Sequence, residues 1–390
     1  MAKRRFQLPG IHELSKEQEL VRAWPLEGRF FLTGGPGTGK SVMCLLRARR
    51  LHEANKKYCF LVFNHLLRFA SHQLFGIDLQ AVQWQAWFYK VFEEITGRKV
   101  PYLDVGTGES WRPVDWNTCL DLVGEQSADA LEKRYKDQYL IIDEGQDMPP
   151  GFYQFLNAIP FENVFVAADF NQAIGHENSK FDEIHGEIIP DSEHELKSNY
   201  RNKYGVARLA RDFCSGTPGT NPPLLPTRGK GSTRQPVLFT YTKDHEGRIF
   251  RRLLLYAGRN PRFLIGVIAP NNKVRERFLA KLRAAGNNIE DLACPISTYS
   301  TEERNQLDFS EGGFIVINAQ SCKGLEFDVV FIADINEFPC WRSIVDEKKM
   351  LFYVMTARAI HQVFMLRKAD QKCPIEVILP DDPEILERLP

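Results

Sequence analysis

An α/β chain of two domains, each a parallel sheet covered by helices on both faces, follows from three features of the sequence. Its 390 residues, 43% of them hydrophobic, exceed one ordinary domain, since a domain takes roughly 150 residues. Short, near-continuous apolar runs recur with helical stretches between them, the pattern of strands buried on both faces. One of these runs leads directly into a glycine-rich loop and then a helix.

The runs fall in two sets. Residues 30–33, 59–63, 139–142 and 164–168 surround the glycine-rich loop; 263–269, 314–318 and 329–333, with a helical stretch at 274–284, form the second set. The boundary is expected at 195/196, giving a first domain of residues 1–195 and a second of 196–390. The Pro/Gly-rich stretch 216–236 reads as linker-like and 104–113 as a second irregular segment. No internal repeat or low-complexity segment is evident.

The glycine-rich loop, GGPGTGKS at residues 34–41, fits the phosphate-binding template G-x-x-x-x-G-K-[ST]. Gly34, Gly35, Pro36, Gly37, Thr38 and Gly39 would turn backbone N–H groups onto a phosphate chain, and the following helix adds its positive end. Lys40 would lie along the β- and γ-phosphates, with the Ser41 hydroxyl on Mg²⁺. An ordinary turn between strand and helix is the bland alternative, and the full set of template positions disfavours it. ATP and Mg²⁺ are therefore the expected cofactors.

Composition narrows the partners. Lysine plus arginine equals aspartate plus glutamate at 50 each, so a polyanion has to be held by a local groove, not by net charge. The longest apolar stretch, 263–269, is too short to cross a bilayer. The basic residues 1–6 are not followed by an apolar secretory core, so no export is expected. Eight cysteines lie scattered without a C-x-x-C pair, which favours reduced, mostly buried thiols in a cytoplasmic protein.

The apolar strand at 139–142 ends in Asp143 and Glu144. At the C-terminal edge of a parallel sheet these acids sit beside the phosphate loop. Asp143 can hold Mg²⁺ through water, and Glu144 can orient or deprotonate the attacking water. A helix cap is the other use of such an aspartate.

Asp143-Glu144-Gly-Gln146-Asp147 resembles the D-E-x-Q-D box of the UvrD/Rep-like superfamily 1 helicases, and further blocks follow in the family's order. Leu14 to Gln18 resembles L-x-x-x-Q, which implies that Gln18 reads adenine. Asn64 and His65 follow the second strand, where the family touches single-stranded DNA. The strand ending at Asp169 resembles V-x-G-D-x-x-Q, with Gln172 as the implied γ-phosphate sensor. Asn199-Tyr200-Arg201 matches N-Y-R, and Lys323 to Phe327 matches K-G-L-E-F, whose Glu326 would face the nucleotide sugar. Tyr353 to Ala359 resembles Y-V-A-L-T-R-A. The resemblance thus implies two RecA-like domains, with Arg201 and Arg358 reaching the γ-phosphate from the second one. It also places Lys323 on the nucleic-acid strand. Each weaker block alone has an ordinary structural reading; their order along the chain is what argues against chance.

Departures matter too. Only residues 88–138 and 202–313 occupy the places of the family's two large inserted subdomains, so a near-minimal motor core is expected. Where the family has Q-S-I-Y, this chain has Gln172-Ala-Ile-Gly175, and a stacking platform is missing. Trp84 and Trp87 lie where the family contacts the strand. They either stack bases, worth roughly 1–3 kcal/mol each, or form a buried helical face, since a spacing of three fits both. The basic runs 47–57 and 273–283 read as solvated helix faces.

The resulting expectation is an ATP- and Mg²⁺-dependent single-stranded DNA translocase or helicase of 3′→5′ polarity, in DNA repair or phage defence, with RNA not excluded as strand. The alternative is an ATP-driven switch subunit that regulates a nuclease or other protein partner without productive unwinding. No membrane association is expected, and no nuclease signature is present.

Overall fold

The computed structural model describes residues 13–62, 81–104, 112–172, 177–214, 222–226, 234–287, 294–299 and 312–390. Helix α1 (Lys16–Arg22) opens on a reciprocal cap, in which the Ser15 hydroxyl accepts from Gln18 N and the Gln18 side chain accepts from Ser15 N. Strand β1 (Arg29–Gly34) delivers the glycine-rich loop to α2 (Lys40–Glu53). Strands β2 (Tyr58–Val62) and β3 (Ala81–Gln83) follow, and β3 runs straight into α3 (Trp84–Thr96). Helices α4 (Trp116–Gly124) and α5 (Ala128–Tyr135) precede β4 (Tyr139–Ile142). Then come α6 (Pro150–Ala158), β5 (Asn163–Ala168), α7 (Phe181–Ile188) and β6 (Ser192–Leu196).

These strands form one six-stranded sheet in the order β3-β2-β4-β5-β1-β6, parallel throughout. Alternation along β1 shows how both faces are filled: Phe30 and Leu32 join the core beneath α2, while Phe31 joins the core beneath α3 and α6. Helices α3, α4 and α5 contribute Phe88, Cys119, Leu122, Leu131 and Tyr135 to that second core. The described residues of 88–138 are therefore part of the domain itself, as the short insert length suggested.

The chain leaves β6 at Leu196, and α8 (Tyr204–Asp212) packs on the second sheet. Strand β7 (Val237–Tyr241), α9 (Glu246–Arg259), β8 (Leu264–Ala269) and α10 (Asn272–Gly286) follow. Strands β9 (Ile296–Thr298), β10 (Gly313–Asn318) and β11 (Phe327–Ile332), helix α11 (Val345–Ala357), β12 (Ala359–Lys368) and β13 (Glu387–Leu389) complete it. The second sheet runs β13-β7-β12-β11-β8-β10-β9 and is again parallel. Helices α8 and α11 cover one face, and α9 and α10 the other. Two helix-flanked parallel sheets are thus the architecture, as the alternating pattern implied.

Among the described residues no helix is long and apolar enough to cross a membrane. All eight cysteines are free, but only Cys44, Cys119 and Cys322 are buried, fewer than expected. The run 47–57 is no solvated face at its start: Arg47 is 6% exposed and donates to Pro25 O and Leu26 O, both at 2.9 Å.

Candidate active site between the two sheets

Three adjacent strands end at one edge. Strand β1 ends in the phosphate loop, β4 in Asp143, and β5, lying between them, in Asp169. The loop needs glycine where the backbone turns left-handed and neighbours press close. Gly37 has φ +75°, and a Cβ there would lie 2.4 Å from Asn199 Oδ1; Gly39 has φ +98°, and a Cβ there would meet Gln18 Nε2 at 2.4 Å. Both approaches show what borders the loop: α1 on one side and the Asn199–Arg201 segment on the other. Tyr200 N donates to Gly37 O at 2.8 Å, and Gln18 Nε2 to Thr38 O at 2.9 Å.

From the loop, a chain of hydrogen bonds runs through the acids. Lys40 Nζ donates to Gly34 O (2.7 Å) and Gly35 O (2.9 Å) and reaches Asp169 Oδ2 at 3.3 Å. Asp169 Oδ2 also accepts from Gln172 Nε2 at 2.7 Å. Gln146 joins the two acidic strand ends: its Nε2 donates to Glu144 Oε2 at 2.8 Å, and its Oε1 accepts from Asp169 N at 2.7 Å. Glu144 adopts φ +55°, which a non-glycine residue holds only where its surroundings fix it, commonly at functional sites.

The second sheet meets this edge with the starts of β11 and β12. Phe327 N bonds Arg358 O at 3.0 Å, so Glu326 and Arg358 stand side by side ahead of those strands. Arg358, 2% exposed, donates from Nε to Val354 O at 3.1 Å and from its guanidinium to Gln172 Oε1. Lys323 Nζ donates to Asp147 Oδ1 at 2.6 Å and to Gln172 O. Arg201 forms an ion pair with Glu326.

The electrostatics follow from burial opposed by this cation set. Burial works against the ionisation of Glu144, but Lys323, Lys40 and Arg358 outweigh it and hold its carboxyl below the ordinary glutamate range. Burial and the neighbouring Glu144 push Asp143 up. Burial also lifts Asp169, against Lys40, and takes Asp147 to about 7 despite Lys323. Glu144 is thus the acid most completely ionised, as a proton acceptor has to be.

A divalent cation suits this chemistry. The Ser41 hydroxyl at the start of α2 steadies the Asp143 carboxylate at the end of β4, and such hard oxygens bind Mg²⁺ together with phosphate oxygens. The upward shift at Asp143 is what an adjacent cation would reverse.

The structure therefore brings Gln18, the loop residues, Lys40, Ser41, Asp143, Glu144, Gln172, Arg201, Glu326 and Arg358 to one cleft. Three expectations for nucleic-acid contact change. Trp84 and Trp87 are 6% and 8% exposed and pack edge-on against Phe152 at 5.4 and 6.1 Å. The spacing of three thus marks a core face, and neither ring is free to stack a base. Lys323 is buried between Asp147 and the Gln172 carbonyl, so it joins the sheets and does not touch a strand. Asn64, His65 and Gly175 lie outside the described residues.

Gln146, Asp147, Asp169, Asn199 and Asn202 received no role from the sequence, although the first four lie inside quoted blocks. Asn202 Nδ2 donates to Ala357 O at 3.0 Å and to Ala359 O, fixing the backbone around Arg358. For Asn199 and Asn202 the available signal was the polar run 197–203 between β6 and α8.

Two family models match parts of the chain. Residues 288–368 match the family model of the UvrD-like helicase C-terminal domain, and residues 18–177 match that of an AAA domain. No curated protein sequence matches the chain. Among solved structures, the C-terminal domain of a possible DNA helicase from Lactobacillus plantarum WCFS1 is 16% identical (TM-score 0.35), covering 49% of this chain and 99% of that one. The DUF1998 helicase MrfA bound to DNA is 11% identical (TM-score 0.45), covering 92% of this chain and 50% of that one. Both overlays are loose, and the likeness rests on the two domain models. Residues 288–368 form a UvrD-like helicase C-terminal domain, behind an AAA domain at residues 18–177.

Proposed function

We propose that this helicase-family chain is an ATP- and Mg²⁺-dependent motor that moves 3′→5′ along single-stranded DNA. One observation carries the reading. An unbroken hydrogen-bonded path leads from Arg358 in the second domain through Gln172 and Asp169 to Lys40 of the phosphate loop. A change at the γ-phosphate is felt by both sheets at once.

In this reading the loop N–H groups and Lys40 bind the β- and γ-phosphates, and Ser41 and Asp143 hold Mg²⁺, which supplies charge neutralisation on the phosphates. Glu144 takes the proton of the attacking water. Arg358 and Arg201 meet the charge that develops on the equatorial oxygens, a contribution worth about 10³–10⁵ in rate for one well-placed arginine. Because those arginines belong to the second domain, hydrolysis requires the cleft to close, and product release lets it open. Alternate closing and opening is what steps a strand. Lacking a separate insert among its described residues, the isolated chain should track a single strand better than it splits a duplex.

Steady-state ATP turnover with and without single-stranded DNA, repeated with RNA, tests this. Strong stimulation by DNA that weakens with added salt is expected, because backbone contacts release counterions. Turnover indifferent to every nucleic acid would overturn the motor reading in favour of a switch read by a protein partner.

A further inference from the structure

Residues 243–287 hold eleven lysines and arginines against three acids, in a chain whose total charge is zero. Helix α9 gathers the exposed ones. Its inner face, Ile249, Phe250, Leu253, Leu254 and Ala257, is buried in the core. Opposite it, Arg248, Arg252, Leu255 and Arg259 stand at i, i+4, i+7 and i+11, all exposed. They make one line along the helix, about 16 Å long at roughly 1.5 Å per residue. Arg251 flanks the line and Arg262 follows its end, both exposed.

Two basic clusters of the same chain show what arginines occupied by structure look like. On α2 Arg49 pairs with Glu53 and Arg50 donates to Trp24 O at 3.0 Å, and just past its end Lys56 pairs with Glu27. On α10, Arg277 and Lys281 share Glu246, and Arg275 pairs with Glu276. Among the described residues Arg248, Arg251, Arg259 and Arg262 have no such partner. Arg252 lies over the Phe239 ring at 5.5 Å, at the rim of a groove of about 260 Å³ lined by Phe239, Tyr256, Phe364 and Leu389.

We propose that the outer face of α9 is a second nucleic-acid surface, holding phosphate backbone outside the motor cleft. The inference rests on the motor reading for its biological sense. Aligned guanidiniums favour phosphate, which they bind in a planar, two-pronged fashion. Arginines beside an aromatic groove are the composition of surfaces that hold strands. A lipid bilayer fits less well, because the apolar residues of α9 are spent in the core and only Leu255 is outward. In a chain with little room for inserted subdomains, such a face would tether DNA near the cleft.

The full-length chain and its Arg248→Gln/Arg252→Gln/Arg259→Gln variant are compared by anisotropy with a fluorescent 3′-tailed duplex across a salt series. The variant should bind at least ~10-fold more weakly, and its log–log salt slope should be shallower by about two to three, for three lost phosphate contacts. ATP turnover without nucleic acid should be unchanged. The corresponding triple Arg→Lys variant should keep the wild-type slope. Equal affinity and slope in the glutamine variant would overturn the proposal. So would a loss confined to phosphatidylserine vesicles, which would make the face a membrane contact. Failure of DNA to stimulate ATP turnover would instead strike the motor reading, because the binding comparison does not depend on it.

Discussion

Two strand ends of this molecule share one backbone turn and use it differently. After β4 the chain reaches Glu144 at φ +55° and enters a short 3₁₀ turn, Gly145–Asp147; after β11 it reaches Asp334 at φ +42° and enters another, Ile335–Glu337. Both acids are buried. Asp334 is ion-paired within its own domain with Arg277 and Lys368 and accepts a hydrogen bond from Tyr241. Glu144 takes one hydrogen bond from Gln146, and of the cations that draw its carboxyl down Lys40 is in its own domain, whereas Lys323 and Arg358 belong to the other. The turn sets where an acid sits; the origin of the neighbouring cations sets what it can do. An acid closed off by its own domain is structural. One that draws part of its cation set from across a cleft changes with the motion of the cleft.

Exchanging the two acids for neutral residues should separate these roles. Glu144→Gln keeps shape and should lower kcat by about 10²–10⁴, the range of a lost general base, while ATP still binds and the fold holds. Titration of nucleotide alongside turnover checks this, and near-normal turnover would remove Glu144 as the base. Asp334→Ala should do the reverse. It leaves two cations without their buried partner, at a cost of about 3–5 kcal/mol in unfolding free energy, while turnover per folded molecule stays close to wild type. Denaturant melts paired with turnover would show it, and a catalytic loss without a stability loss would erase the contrast.

A smaller effect sharpens the picture at Asp147. Burial holds this carboxyl at about 7 against an ordinary value of 3.8. Between those values the native chain keeps a proton that the unfolded chain has released. This group's contribution to stability is therefore complete below about pH 4 and is lost as pH rises through about 7. In Asp147→Asn that loss is gone, so the variant's Tm relative to wild type should climb from about pH 5 to about pH 8. A pH-independent difference would mean that Lys323 keeps Asp147 ionised throughout.

How much of this was legible in the sequence depended on whether a residue type was forced by the backbone. Gly37 and Gly39 announce themselves because left-handed turns under close neighbours admit little else, and the strand–loop–helix around them came with the motif. The acids at the end of β4 were readable because parallel strands bury both faces and end in polar residues at a common edge. Trp84 and Trp87 were not readable, since core packing and base stacking both favour aromatics three apart. Lys323 was misplaced because its partners, Asp147 and the Gln172 carbonyl, lie 176 and 151 residues away, and no local pattern carries that distance. Strand β6, Ser-Glu-His-Glu-Leu, escaped notice because an edge strand with one neighbour needs no apolar run.

In the proposed function the second domain completes the nucleotide site of the first. Arg358→Ala tests it most directly, with kcat and ATP affinity measured on the same preparation. A fall in kcat of about 10³-fold or more is expected, with ATP affinity nearly unchanged, as for charge felt mainly in the transition state. Retained kcat with lost ATP binding would contradict it, and would make Arg358 a ground-state contact in a site the first domain runs alone.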